Sequence, residues 1–196
     1  MPSPRPRRPM GEKMQVLAQR VGIKHLNEMQ TRAISRILAG SNVLIVAPTG
    51  SGKTEAALLP VLEAMSSEER SGIRSLYVTP LRALNRDMIG RVQSLVASSG
   101  LTAAVRHGDT PASDRRKQAA APPDILITTP ETLQAILPGK VMQRHLKSVR
   151  HVIIDEVHQF AKDRRGVQLA VALSRLRKVA GRPFQRIGLS ATVGSP

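Results

Sequence analysis

The sequence predicts an α/β domain with a mainly parallel sheet and helices on both faces. Short apolar runs, each long enough for one buried strand, recur at 43–47, 73–79, 101–106, 124–128, 149–154 and 184–189. Helical patterns lie between them at 53–66, 81–97, 112–120, 131–146 and 165–180. Strands that alternate with helices are typical of crossover connections between parallel strands. The aromatic content of 2% agrees with a core built from aliphatic side chains and alanine.

A further helix is expected at 27–39, before the first strand. Asn27 is a residue type that caps helix N-termini. Apolar residues at helical spacing form its predicted buried side: Met29, Ala33, Ile34, Ile37 and Leu38. The sequence shows neither an internal repeat nor an interior linker, so residues 11–196 are predicted to form one domain.

The charge balance favours a polyanionic partner. The 196 residues include 30 Lys and Arg against 14 Asp and Glu, a formal net charge of +16. Twelve basic residues and three acidic ones fall between Lys140 and Pro196. Such an excess binds nucleic acid through the release of counterions. A solvated basic surface without a partner explains the same numbers, and charge alone does not separate the two interpretations.

What the sequence lacks excludes several classes of protein. It has no cysteine, which rules out disulfides and thiolate metal sites and is compatible with a reducing cytoplasm, where we expect the protein. Apolar stretches stay far below the roughly 20 residues that span a bilayer, so no membrane partner is expected. Residues 1–10 are rich in proline and arginine, and we interpret them as a disordered arm that is either a nucleic-acid contact or a solubilising tail.

A phosphate-binding pattern follows the first predicted strand. Residues 47–54, here called the phosphate loop, read Ala-Pro-Thr-Gly-Ser-Gly-Lys-Thr between a buried strand and a helix. Glycines in such a loop let backbone N–H groups turn toward phosphate oxygens, Lys53 supplies positive charge, and the Thr54 hydroxyl is a ligand for Mg²⁺. The predicted nucleotide contacts are Thr49, Gly50, Ser51, Gly52, Lys53 and Thr54. A flexible turn is the alternative, and the position between strand and helix argues against it.

Two carboxylates stand at the end of a later strand. Asp155 and Glu156 follow the apolar run at 152–154, at the carboxyl end of a strand, where open α/β sheets bind ligands. We expect Asp155 to hold Mg²⁺ and Glu156 to orient and deprotonate an attacking water, with Lys53 as the third catalytic group. His158 lies beyond the carboxylates and is predicted to hydrogen-bond a neighbouring segment. An acidic pair solvated at the sheet rim is the alternative.

The neighbouring segment is predicted to be Ser190-Ala191-Thr192, after the last strand. Two hydroxyls around a small residue suit a hinge that couples nucleotide state to movement. A local turn in which the hydroxyls bind nearby backbone explains the same residues.

These segments, taken in order, resemble the first RecA-like motor domain of a superfamily 2 DExH-type helicase. The motif sequences are most similar to those of the large helicase-related (Lhr) family. The resemblance covers residues 12–196 and rests on LNEMQ (26–30), APTGSGKT (47–54), TPLRALNRD (79–87), RHGDT (106–110), TTPETL (128–133), DEVH (155–158) and LSAT (189–192). It implies a P-loop NTPase that uses ATP and Mg²⁺ and acts on single-stranded DNA or RNA.

The resemblance also implies further site residues. Gln30 matches the glutamine that reads adenine, although its spacing from Asn27 equally suits a capping box. A track for one nucleic-acid strand is implied at Pro80, Leu81, Arg82, Ala83, Gly108, Thr129, Pro130 and Glu131. Arg106 and His107 either assist this track or are ordinary surface residues.

The family works with two motor domains, and the second domain supplies arginines to the transition state. The 196 residues hold only the first domain, so we expect them to bind ATP and hydrolyse it poorly. Two alternatives are a nucleic-acid-binding module without motor function and a P-loop kinase for a small molecule. The DEVH carboxylates and the lack of a recognisable lid disfavour the kinase.

Overall fold

A computed structural model describes residues 12–20, 22–81, 84, 86–161 and 164–191 of the chain. Its strands are β1 (Val43–Val46), β2 (Ser75–Val78), β3 (Ala103–Arg106), β4 (Ile125–Thr128), β5 (His151–Ile154) and β6 (Gln185–Ser190). Its helices are α1 (Glu12–Arg20), α2 (Glu28–Leu38), α3 (Lys53–Ser66), α4 (Arg86–Ser98), α5 (Ala112–Ala120), α6 (Pro130–Ile136), α7 (Lys140–Leu146), α8 (Val157–Ala161) and α9 (Arg164–Ala180). The arm predicted at 1–10 lies outside the described residues.

The strands form one sheet in the order β1-β6-β5-β2-β4-β3, and every neighbouring pair is parallel. The predicted parallel α/β sheet is therefore confirmed. Because all six strands run the same way, their carboxyl ends lie along one edge of the sheet. The segments that follow the strands meet at that edge.

A separate apolar core covers each face of the sheet. Helices α1 to α4 pack on one face, where Tyr77 of β2 is fully buried among aliphatic side chains. Helices α6 to α9 pack on the other face, against Leu76 and Val78 of the same strand. Because side chains alternate along β2, this strand contributes residues to both cores. None of the described helices is long and apolar enough for a membrane span.

Helix α2 agrees closely with its prediction. Asn27 accepts a hydrogen bond from Gln30 N (2.8 Å) and Gln30 returns one to Asn27 N (3.0 Å), which completes a capping box. Ala33, Ile34 and Ile37 are buried as expected, while Met29 and Leu38 are partly buried. The N-terminus of α2 is thus fixed by local hydrogen bonds and its orientation by an apolar stripe.

Other helix boundaries were predicted wrongly. The single helix expected at 131–146 is two helices, α6 and α7, because Pro138 has no N–H to donate and Gly139 begins a new helix as its N-cap. The helix expected from residue 81 begins at Arg86, after Leu84 donates its N–H to Leu81 O in a turn (3.1 Å). Helices α1 and α8 were not predicted.

A buried ion pair joins segments at the amino ends of β2 and β4. Arg74, which is 1% exposed, donates to Asp124 Oδ1 (2.6 Å), and Thr102 donates to Asp124 Oδ2 through its N–H (2.9 Å) and its hydroxyl (3.0 Å). Burial acts to raise the pKa of Asp124, but the hydrogen bonds from Thr102 and Arg74 outweigh it and hold the pKa below its usual value. These contacts stabilise the edge opposite the predicted site.

His151, the first residue of β5, is buried near the same edge and its Nδ1 has no hydrogen-bond partner among the described residues. Burial, followed by the positive charges of Arg150 and Arg74, lowers the pKa of His151 to about 4. The folded protein therefore keeps this imidazole neutral at ordinary pH.

Candidate functional site

The carboxyl edge of the sheet divides into two halves. The phosphate loop follows β1, the DEVH residues follow β5, and Ser190 ends β6. These three strands are adjacent in the sheet. The residues predicted to contact nucleic acid follow β2, β4 and β3, which make up the other three strands. Strand β2 adjoins β5, so the two groups of residues meet at the middle of the edge.

The phosphate loop has the backbone conformation that its glycines predict. Gly50 and Gly52 have φ values of 80° and 84°, in the left-handed region that disfavours other residues. A Cβ on Gly52 would also collide with the side-chain amide of Gln30. Thr49 lies exposed on the loop, while the Ser51 hydroxyl is buried without a partner among the described residues. The loop is thus tightly turned and holds an unsatisfied polar group.

Lys53 begins α3 and folds back over its own loop. Its Nζ donates to the carbonyl oxygens of Ala47 (2.7 Å) and Pro48 (2.8 Å). An ammonium group has three N–H donors, so one remains for an anion in this arrangement. The positive charge of Lys53 is therefore already positioned at the phosphate loop when no phosphate is bound.

The Gln30 side chain connects α2 to the phosphate loop. It is 5% exposed, and its Nε2 donates to Gly52 O (3.3 Å) while its Oε1 serves the capping box. Asn27 makes a parallel contact, from Nδ2 to Ser51 O (3.1 Å). The capping role of Gln30 is confirmed, and its adenine-reading role stays a prediction.

Asp155 and Glu156 are held in a constrained turn after β5. Asp155 is 9% exposed, its N–H donates to Val78 O (2.8 Å), and its Oδ1 accepts the N–H of Glu156 (2.9 Å). Glu156 has a φ of 52°, the one left-handed residue other than glycine in the described part of the chain. Such a conformation costs on the order of 1 kcal/mol or more and is concentrated at functional sites.

Tyr77 lies at the predicted site although no sequence motif singled it out. Its hydroxyl donates to Asp155 Oδ2 (2.6 Å), and the Thr54 side chain lies near it. Burial, and then the charge of Asp155, raises the pKa of Tyr77 well above its usual value, so the phenol remains a donor. The only signal in the sequence was that the single tyrosine of the chain stands in a buried strand.

The residues predicted to couple the site to the last strand lie close together. His158 Nε2 lies 3.2 Å from Glu156 Oε2, and His158 Nδ1 lies 3.3 Å from Ser190 Oγ. The Ser190 hydroxyl also donates to Ala191 O (3.0 Å). The structure thus contains the predicted hydrogen bond between His158 and the segment that begins at Ser190, and it places Glu156 beside them. Thr192 lies outside the described residues.

The nucleic-acid half is assembled from three loops. Pro80 is buried after β2, and Leu81 beside it is 53% exposed. Gly108, after β3, is exposed with open space around its Cα. Arg82 and Ala83 lie outside the described residues. Of the described positions, Leu81 and Gly108 are accessible at the surface.

The third loop precedes α6, and its side chains make contacts within the protein. Thr129 is buried as the N-cap of α6 and accepts a hydrogen bond from Thr132 N (3.3 Å). Pro130 is buried at the first turn, and Glu131 pairs with Arg165 of α9 (3.6 Å). Any contact with phosphate at this loop would therefore come from backbone amides.

Arg115 of α5 is a further residue that sequence analysis missed. It donates to the carbonyl oxygens of Gly108 and Thr110 (2.8 Å for the latter) and so shapes the loop after β3. Arg106 is partly buried, and burial followed by the charge of Arg115 lowers its pKa. His107 faces Asp109, 3.7 Å away. Arg115 and Arg106 place two positive charges beside the exposed loop.

The oxygen atoms near the phosphate loop suit a shared magnesium site. In the described part of the chain no three His, Cys, Asp or Glu side chains gather around a metal position. Asp155 instead accepts a hydrogen bond from the Tyr77 phenol, and Thr54 lies near the same phenol. Mg²⁺ is usually held by one or two carboxylates together with substrate phosphates rather than by an all-protein cage. The residues present fit that arrangement.

A parallel sheet with a phosphate loop after β1 and paired acids after β5 defines a RecA-like P-loop domain. The family model of the DEAD/DEAH box helicase matches residues 27–196, and the chain belongs to this family.

Relatives confirm the resemblance to Lhr proteins. The chain is 44% identical over 182 residues to the Lhr helicase/probable uracil glycosylase of Mycolicibacterium smegmatis, covering 85% of this chain and 12% of that protein. It is 40% identical over 182 residues to the ATP-dependent helicase Lhr-Core of Methanothermobacter thermautotrophicus, covering 85% of this chain and 21% of that protein. The solved structure of Mycobacterium smegmatis Lhr bound to ssDNA and AMP-PNP is similar with a TM-score of 0.85 and 39% identity, over 94% of this chain and 25% of that one.

Proposed function

We propose that the chain is the ATP-binding motor domain of an ATP-dependent helicase that acts on single-stranded DNA and requires a second RecA-like domain for efficient hydrolysis. The observation that supports this proposal is that the strands followed by the predicted nucleotide residues adjoin, along one sheet edge, the strands followed by the predicted nucleic-acid residues. The similar Lhr structure contains AMP-PNP and ssDNA, which supports both ligands. RNA is the alternative strand, since backbone contacts carry little base information.

In the nucleotide half, each residue has one task. The phosphate loop amides and the Lys53 ammonium bind the phosphates, and Gln30 keeps the loop in place while contacting adenine. Thr54 and Asp155 hold Mg²⁺, which would neutralise charge on the phosphates. Glu156 accepts the proton of the attacking water. Its strained backbone supports this role, because the conformation fixes where the carboxylate points.

The contacts of His158 with Glu156 and Ser190 connect the catalytic carboxylate to the last strand. When the carboxylate changes partner during hydrolysis, His158 and Ser190 shift with it. Ser190, Ala191 and Thr192 then transmit the nucleotide state toward the second motor domain. That domain also supplies the arginines that stabilise the γ-phosphate. The chain spans 12% and 21% of the two relatives described above, which leaves ample length in them for such a domain.

The nucleic-acid half binds the strand through its phosphates. The segment from Pro80 to Ala83 lies along the strand, and backbone N–H groups at Gly108 and in the loop from Thr129 to Glu131 extend the track. The positive charges of Arg106 and Arg115 lie next to it. The three aromatic residues offer no stacking surface, because Tyr77 and Phe160 are buried and Phe184 packs against the second core. Binding is therefore sequence-tolerant.

We also propose that the protein is located in the cytoplasm.

The test measures binding of the 196-residue chain to a labelled oligothymidylate over a salt series. Arg82→Ala should weaken binding and reduce the salt slope by about 0.7, the value for one single-strand phosphate contact. Arg177→Ala is the matched control, because Arg177 is exposed in the last turn of α9, at the opposite edge of the sheet. Equal losses in the two variants would contradict the track.

A second measurement separates a motor domain from a simple binding module, which the net charge of +16 also favours. A second RecA-like domain is supplied in trans, and ATPase activity is followed with and without single strands. Stimulated hydrolysis supports the motor assignment. Strand binding that ignores ATP, with no gain in hydrolysis, would select the module instead.

A further inference from the structure

The Tyr77 hydroxyl joins two segments that are far apart in sequence. It donates to Asp155 Oδ2 at 2.6 Å, across 78 positions of the chain, and the Thr54 side chain lies near the same hydroxyl. Strand β2 places it there, because Tyr77 lies beside Ile153 in the register with β5. Thr54 and Asp155 are the two side chains assigned above to Mg²⁺.

The phenol is not explained by packing alone. Tyr77 is fully buried in the first apolar core, where a phenylalanine ring would fill the same space. A buried hydroxyl adds a desolvation cost unless it is hydrogen-bonded. Here the hydrogen-bond acceptor, Asp155, belongs to the predicted nucleotide site rather than to the core.

The hydrogen bonds to the Asp155 carboxylate leave lone pairs that a metal ion can use. Each Asp155 oxygen accepts one hydrogen bond, from Glu156 N at Oδ1 and from Tyr77 at Oδ2. Each carboxylate oxygen therefore keeps a further lone pair.

We propose that Tyr77 is a positioning residue for the magnesium site, holding the Asp155 carboxylate in the orientation that the metal requires. Residues that orient metal ligands in this way commonly change metal affinity when they are replaced. This inference rests on the proposed function, since it takes Thr54 and Asp155 as metal ligands. It adds a residue on β2, the strand where the two halves of the site meet.

The test compares binding of a fluorescent ATP analogue in EDTA and over a Mg²⁺ titration. Tyr77→Phe removes only the hydroxyl, so affinity in EDTA should stay at the wild-type value. The Mg²⁺ concentration needed to tighten binding should rise about 10- to 100-fold. Affinity in EDTA also reports that the variant is folded.

Two further variants make the result specific. Thr102→Val removes a hydroxyl that donates to a buried aspartate, Asp124, at the opposite edge of the sheet, and it should leave the Mg²⁺ response unchanged. Asp155→Asn should abolish the response and thereby tests the metal site itself. A wild-type protein without a Mg²⁺ response, or a full response in Asp155→Asn, would overturn the metal assignment and the role of Tyr77 together.

Two outcomes would overturn the role of Tyr77 alone. In the first, Tyr77→Phe keeps the wild-type Mg²⁺ response while Asp155→Asn loses it. In the second, Tyr77→Phe loses affinity equally with and without Mg²⁺, which indicates a structural contribution to the loop. A selective loss of the Mg²⁺ response in Tyr77→Phe supports the proposal.

Discussion

Replacement of Lys53 by alanine tests the phosphate loop most directly. In the free protein the ammonium donates to Ala47 O and Pro48 O. When a nucleotide binds, the same group is positioned to exchange one of these carbonyls for a phosphate oxygen. Lys53→Ala removes the charge and the hydrogen bonds to two loop carbonyls. The carbonyl of the exposed Pro48 can then bind water instead. The variant should therefore lose nucleotide affinity without unfolding.

The magnitude follows from the type of hydrogen bond lost. A hydrogen bond to a charged group contributes about 1.5–3 kcal/mol net. A loss of about 2–3 kcal/mol corresponds to about 30- to 150-fold weaker binding, since every 1.4 kcal/mol is tenfold. The free energy of unfolding should change by about 1 kcal/mol or less, because Lys53 is not among the described residues of the apolar core and changes outside the core have small effects.

The assay is titration with a fluorescent ATP analogue, together with urea unfolding of the same samples. Lys178→Ala is the matched control, because it removes the same charge from an exposed position in the last turn of α9. Its nucleotide affinity should equal that of the wild type. Unchanged affinity in a folded Lys53→Ala protein, or an equal loss in both variants, would refute the phosphate-loop assignment.

Three further predictions concern catalysis and stability. Glu156→Gln should keep Mg²⁺ and ATP binding but remove the hydrolysis seen with a second motor domain, because an amide cannot accept the proton; wild-type turnover would assign the base elsewhere. His151 has a pKa lowered from 6.5 to about 4, so the unfolded chain takes up the proton first as pH falls. Wild-type stability should decrease by up to about 3 kcal/mol from pH 6.5 to about 4, and urea unfolding of His151→Leu should lack this decrease. Asp124→Asn should cost about 3–5 kcal/mol near neutral pH because it breaks a buried pair. The pKa of Asp124 is lowered on folding, so its stabilisation exists above the unfolded pKa and is lost in acid below it; a pH-independent difference between variant and wild type would contradict this.

Local patterns predicted the site residues and most of the elements. The phosphate loop needs φ values that Gly50 and Gly52 supply, and the α2 N-terminus needs only the reciprocal bonds of Asn27 and Gln30. Both are decided by neighbours within a few positions. The break between α6 and α7 also has a local cause, Pro138 and Gly139. The sequence analysis predicted one helix at 131–146 because the apolar spacing continues on both sides of these two residues.

The sequence by itself determined that strands alternate with helices, that a phosphate loop follows the first strand and that paired acids follow the fifth. Tertiary structure decided the strand order, which places β2 between β5 and β4 and so joins the two halves of the edge. It also made Tyr77 a partner of Asp155, 78 positions away. The physical reason is that hydrogen bonds between strands depend on which strands become neighbours. That choice is made by the packing of two whole cores against the sheet rather than by the residues adjoining each strand.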